Sequence, residues 1–107
     1  LIFFISKNNL ILSVDLISGK ILYSYSINDQ IAEFLKIKKK NNLNIKNFTM
    51  LNSQLILFLN NSYILKFNIN GKLNQVLKLP TKISSQPIII NGAILYLNNK
   101  NKLVKFD

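Results

Sequence analysis

Ile94 to Asp107 reads ILYLNNKNKLVKFD, and Ile2 to Asp15 reads IFFISKNNLILSVD; the two stretches align without a gap at a constant offset of 92 residues. A third copy, ILFLNNSYILKFN, runs from Ile56 to Asn68 and reads as one residue shorter in its turn. Each copy is a four-residue apolar run (Ile2 to Ile5, Ile56 to Leu59, Ile94 to Leu97), a polar turn, and a second strand ending in Asp or Asn. Copies two and three lie 38 to 39 residues apart, whereas copies one and two lie 53 to 54 apart, so about 15 residues are inserted between them.

A repeat of about 40 residues is the length of one four-stranded propeller blade. The apolar runs IFFI and ILFL predict central strands covered on both faces, because half-exposed strands alternate. The following strand does alternate. Leu12, Val14 and Leu16 match Leu65, Phe67 and Ile69, with Val104 and Phe106 in the third copy, while Ser13, Asp15, Lys66, Asn68, Lys105 and Asp107 are expected to point the other way. Asn70-Gly71 and Asn91-Gly92 predict two-residue type I′ hairpins. In Asp15 to Gly19, DLISG, the carboxylate is expected to cap turn N–H groups, with Gly19 in the left-handed position. The resulting map places strands at 1 to 6, 10 to 16, 20 to 27, 46 to 51, 54 to 60, 63 to 69, 72 to 78, 86 to 90, 93 to 98 and 102 to 107. Tyr23 and Tyr25, alternating in YSYSI, read as blade packing rather than a recognition stack.

The inserted segment, NDQIAEFLKIKKKNNLNIKN from Asn28 to Asn47, places Ile31, Phe34 and Leu35 at i, i+3 and i+4 and predicts a short helix on the propeller rim. Asn28 or Asp29 is its expected cap, and Lys36, Lys38, Lys39 and Lys40 stand near its end, where they favour the helix dipole. Such a helix is either a solvated element packed on the blade edge or a docking element for an acidic partner or an anionic membrane surface. Under the second reading these four lysines are the candidate partner-docking residues.

The net charge of +10 arises from fourteen lysines and no arginine, set against Asp15, Asp29, Glu33 and Asp107. A chain dominated by Ile, Leu, Asn and Lys has the bias of AT-rich codons, and the lack of arginine forks argues against nucleic-acid recognition. With no cysteine and no histidine there is neither a disulfide framework nor the usual nucleophile and base pair, and the four acids are scattered. No apolar run approaches the roughly 20 residues of a membrane helix. The chain opens and closes on strands without an initiator methionine, so both termini read as cuts and the chain as part of a longer protein.

Ser85-Gln86-Pro87-Ile88-Ile89-Ile90-Asn91-Gly92 followed by Ile94 to Asp107, and Asp15-Leu16-Ile17-Ser18-Gly19-Lys20-Ile21-Leu22-Tyr23, resemble the PQQ-like β-propeller repeat, in which a Ser-x-Pro strand, an Asn/Asp-Gly hairpin and a strand ending in Asp precede Thr-Gly-Lys and an aromatic. Ser18 replaces the threonine and Tyr23 the usual tryptophan, and Leu73-Asn74-Gln75 stands where the second blade would carry its aromatic. The resemblance implies an all-β fold: a fragment of a β-propeller, about two and a half four-stranded antiparallel blades with one short helical insertion. The expected divisions are the C-terminal part of a first blade over 1–27, the insertion over 28–45, a second blade over 46–79 and the N-terminal part of a third over 80–107.

Members of that family include quinoprotein dehydrogenases and noncatalytic lipoproteins similar to BamB of the outer-membrane assembly machinery. The missing catalytic groups favour the second kind: a binding or scaffold module without catalytic, cofactor-binding or metal-ligating residues, meeting a protein partner through its blade loops or insertion at the periplasmic face of a bacterial outer membrane. Peripheral membrane contact is compatible with the lysines. The alternatives are a piece of a quinoprotein dehydrogenase, which alone would require pyrroloquinoline quinone and calcium, and a cytosolic interaction propeller.

Overall fold

The computed structural model describes residues 2–39 and 43–106. Among the described residues, ten strands form three antiparallel sheets. The first contains β1 (Ile2–Ile5), β2 (Leu10–Val14) and β3 (Ile21–Ser26). The helix α1 (Ile27–Leu35) follows. The second sheet has four strands in meander order, β4 (Ile45–Leu51), β5 (Gln54–Leu59), β6 (Tyr63–Asn68) and β7 (Leu73–Lys78). The third has β8 (Ile88–Ile90), β9 (Ala93–Leu97) and β10 (Leu103–Phe106). β8 is shorter than the sequence suggests because Pro87 has no N–H to give to a ladder.

The sheets stack as propeller blades around two apolar layers. Leu55, Leu57, Leu59, Leu65 and Phe67 of the middle blade meet Phe3, Ile5, Ile11 and Tyr25 of the first. Its opposite face, with Ile56, Phe58 and Ile64, meets Ile89, Ile94, Tyr96, Val104 and Phe106 of the third. β5 is therefore covered on both sides along Leu55 to Leu59, as expected of ILFL. β1 is not: Phe3 and Ile5 face the middle blade, while Ile2 and Phe4 stay exposed on the far side. Across the stack, Ile88, Ile90, Leu97 and Leu103 are likewise exposed, Leu103 at 70%. Full cover on two faces needs a blade on each side, and of the three described sheets only the middle one has both.

The pairing corrects the alignment of the middle copy. Ile2 pairs with Val14 and Ile94 with Phe106, but Phe67 pairs with Leu55 rather than Ile56. The structural equivalents of Ile2 and Ile94 are thus Leu55, and the apolar run that matches is Leu55–Phe58. The copies then align without any gap, at offsets of 53 and 39 residues: Asn9, Ser62 and Asn101 all fall on the same left-handed turn position, with φ of 62°, 70° and 60°. Because side chains alternate along a strand, the one-residue difference decides which neighbouring blade each residue faces. Under the corrected frame Leu55 and Ile94 both face the preceding blade.

Turn chemistry explains most of the remaining geometry. Asn91 (φ 51°) and Gly92 (φ 80°) close the expected two-residue hairpin between Ile90 and Ala93. Asn52 and Ser53, both at positive φ, close another between Leu51 and Gln54 that the sequence did not single out. Asn70-Gly71 differs from expectation. Its loop has three residues, with Gly71 N–H donating to the Asn68 carbonyl and Gly71 alone left-handed, at φ 82°. The Asp15 carboxylate accepts from the Ile17 N–H and the Ser18 hydroxyl, as the DLISG reading requires.

Ser13 also departs from the expected partly wet face: it is fully buried, directly opposite Tyr23 on β3. Its equivalents Lys66 and Lys105 carry long side chains, so the small residue in the first blade leaves space for the Tyr23 ring. Tyr23 stacks on Tyr25 with 5.2 Å between centroids, and its hydroxyl donates to the Ile69 carbonyl at 2.7 Å. The Lys72 ammonium lies 3.9 Å from the Tyr25 ring centroid, in cation–π range. The β6–β7 loop of the middle blade is thus held by the aromatic pair of the first.

Candidate functional site

The insertion begins where two blade junctions share one anchor. Ile27 N–H donates to the Asn9 carbonyl and Leu79 N–H to the Ser62 carbonyl, and both side chains are buried. After Leu79 the chain leads into the third blade; Ile27 is instead the first residue of α1. The helix is capped by Ser26, not by Asn28 or Asp29. Ser26 keeps the extended backbone of β3 (ψ 120°) and its hydroxyl accepts from the Asp29 N–H, placing the Asp29 carboxylate in the first turn, where it favours the helix dipole.

The buried face of α1 also differs from the expected Ile31, Phe34 and Leu35. Ile27 is fully buried and Ile31 packs on the layer between the first two blades, whereas Phe34 and Leu35 are 47% and 43% exposed. Gln30, between Ile27 and Ile31, fixes the helix to the middle blade. Its amide nitrogen donates to the Gly71 carbonyl at 2.8 Å and its oxygen accepts from the Leu73 N–H at 2.7 Å, completing a pair of backbone groups at the start of β7. On the return path, the Leu43 carbonyl accepts from the Asn9 side chain and the Asn44 carbonyl from the Asn60 N–H.

Between the helix, the returning segment and the ends of β5 and β6 lies an open groove of about 460 Å³. Ile31, Leu59, Leu65 and Val76 supply its apolar floor, and Leu35 and Leu43 flank it. Its polar rim is made by Asn28, Asn44, Asn60 and Asn61 together with Lys38.

The four candidate lysines are not equivalent. Lys36 is the left-handed C-cap of α1 (φ 55°), so it follows the helix rather than standing in its last turn. Lys38 lines the groove. Lys39 turns back onto the helix, its ammonium 2.9 Å from the Asp29 carboxylate in a half-exposed ion pair. An exposed pair of this kind contributes no more than about 1 kcal/mol. Lys40 lies outside the described residues. The sequence singles out the lysines as candidates but carries no local sign of the groove, whose walls come from segments far apart in the chain. No described helix is long and apolar enough to cross a membrane.

No family model matches the sequence, and no curated protein matches it. Among solved structures, the chain is similar to BamB from Moraxella catarrhalis, with a TM-score of 0.66 at 9% sequence identity over 96% of this chain. The chain spans 27% of the length of that structure. At such low identity the similarity speaks to fold, and together with three stacked antiparallel sheets it establishes the architecture as part of a β-propeller.

Proposed function

We propose that the chain is part of a noncatalytic binding propeller of the PQQ-like repeat kind, and that its insertion docks a protein partner in the bacterial cell envelope. The observation that carries this reading is the groove beneath α1: an apolar floor, an asparagine rim and Lys38 at its edge, built by an insertion into one blade junction. Inserted segments on a rigid scaffold are where binding residues gather, since they vary without disturbing the packed core. The Ser85-x-Pro87 and Asp15-to-Lys20 motifs support the repeat assignment, and the resemblance to BamB-like proteins supports the envelope. Lys36, Lys38, Lys39 and Lys40 give the docking element its charge.

The test is site-specific photo-crosslinking in cells, with the probe at Phe34 or Leu35 of the full protein and, as a control, at Ile17 in the distant Asp15–Gly19 turn. A discrete protein adduct is expected from the helix positions, lost when Lys38, Lys39 and Lys40 are changed to Glu. Identical adducts from both places, or adducts unaffected by the charge reversal, would overturn the assignment. Stoichiometric quinone in the purified protein together with dye-linked substrate oxidation would instead establish the dehydrogenase alternative.

A further inference from the structure

Deepening the reading of the chain as a protein-binding module, we infer that the groove seats an acidic, extended peptide segment carrying one large apolar side chain. Three features of the site specify this occupant. The floor of Ile31, Leu59, Leu65 and Val76 is apolar and leaves space for a guest side chain, and an apolar side chain that leaves water there is the chemistry that fits. The rim is made of asparagines, whose amides both donate and accept; this matches the alternating N–H and C=O groups of an extended main chain.

Charge gives the sign of the guest. Lys38 stands on the rim, and Asp29, the acidic group in the first turn of the helix, is already paired with Lys39. The chain as a whole carries +10. An acidic segment is therefore attracted to this chain, with Lys38 at the rim to meet it, and a basic one repelled.

The experiment measures binding to the intact protein by fluorescence anisotropy, using a labelled 12-residue peptide of Asp, Glu, Ser and Thr with a single central Phe. The companions are the same peptide with Ala for Phe, a version with Lys for each acid, and vesicles containing anionic phospholipid. Removing the apolar anchor is expected to weaken binding about 10- to 100-fold, the loss associated with burying one such side chain. Leu35→Glu and Lys38→Glu are each expected to weaken the Phe peptide by about tenfold or more, while Lys20→Glu, in a turn at the opposite end of the strands, changes it less than about twofold.

No binding of the Phe peptide at millimolar concentration overturns the inference. So do equal affinity for the Ala peptide, equal losses from Lys38→Glu and Lys20→Glu, or vesicle binding that Lys38→Glu abolishes while peptide binding is unchanged. Crosslinked adducts at α1 combined with peptide failure would leave the docking function standing and refute this occupant alone.

Discussion

Gly71 and Gly92 provide a paired test of how the first two blades are locked. Both glycines have nearly the same backbone conformation, with φ of 82° and 80°, so replacing either by alanine incurs the same left-handed penalty of about 1–2 kcal/mol. Their surroundings differ completely. A Cβ on Gly92 meets nothing within 4 Å, whereas one on Gly71 would clash with Cε1 of the Tyr23 ring. Tyr23 cannot easily swing aside, because its hydroxyl is held by the Ile69 carbonyl and its ring is stacked on Tyr25. Displacing it forfeits a hydrogen bond worth about 1 kcal/mol and a stacking contact of about the same size. Gly71→Ala is therefore expected to destabilise by about 3–4 kcal/mol and Gly92→Ala by about 1–2 kcal/mol. Urea unfolding monitored by tyrosine fluorescence at a fixed protein concentration measures both. In a Tyr23→Ala background the effect of Gly71→Ala should fall to that of Gly92→Ala, the coupling of a double-mutant cycle. Equal effects of the two single substitutions would refute the proposed lock.

Three further outcomes follow from named contacts. Gln30→Ala removes the partners of both the Gly71 carbonyl and the Leu73 N–H and is expected to cost about 2–3 kcal/mol, with faster amide exchange at Leu73; unchanged exchange there would rule out the bridge. The Ile17 N–H and then the Ser18 hydroxyl hold the Asp15 carboxyl below its ordinary 3.8, so its contribution to stability is complete above that pH and lost as the pH falls through the lowered value; an NMR titration midpoint at or above 3.8 would contradict this. The 107-residue chain produced alone should self-associate through the exposed faces around Phe4 and Leu103, and sedimentation showing a monomer at all concentrations would oppose that.

The strands were readable because turn residues punctuate them: Asn91-Gly92 and Asp15-to-Gly19 each carry their own conformational signal. The frame of the middle copy was not. Leu55 to Leu59 is apolar at every position, so the sequence fits either of two frames one residue apart, and only cross-strand pairing chooses between them. The helix cap failed for a similar reason. Ser26, Asn28 and Asp29 are all good cap residues, and the decisive fact is that β3 keeps Ser26 extended. Phe34 was expected inward from helical spacing alone, but burial is set by where the Gln30 bridge and Ile27 hold the helix. The groove had no local signature at all, since α1, Leu43, Leu59 and Val76 meet only once the blades have stacked.

The insertion and the blade stack are separable in physical terms, and a graft tests this directly. Ile27 and Leu79 occupy equivalent anchors, each N–H tied to the turn of its own blade, and at the returning end Thr49 is the equivalent of Ile88. Replacing residues 28–44 by a second copy of the short link Pro80-Thr81-Lys82-Ile83 therefore joins points that the third blade already joins in the same way. The anchor, the Tyr23–Tyr25 stack and the contacts of Leu55, Leu57 and Phe67 with Phe3, Ile5, Ile11 and Tyr25 are all made by residues outside 28–44. Cooperative unfolding should persist, with some loss of stability from Ile31 and Gln30, while crosslinking and peptide binding at the groove disappear. If the graft instead abolishes folding, the helix is an integral wedge between blades, and the groove is a by-product of packing rather than a site built upon it.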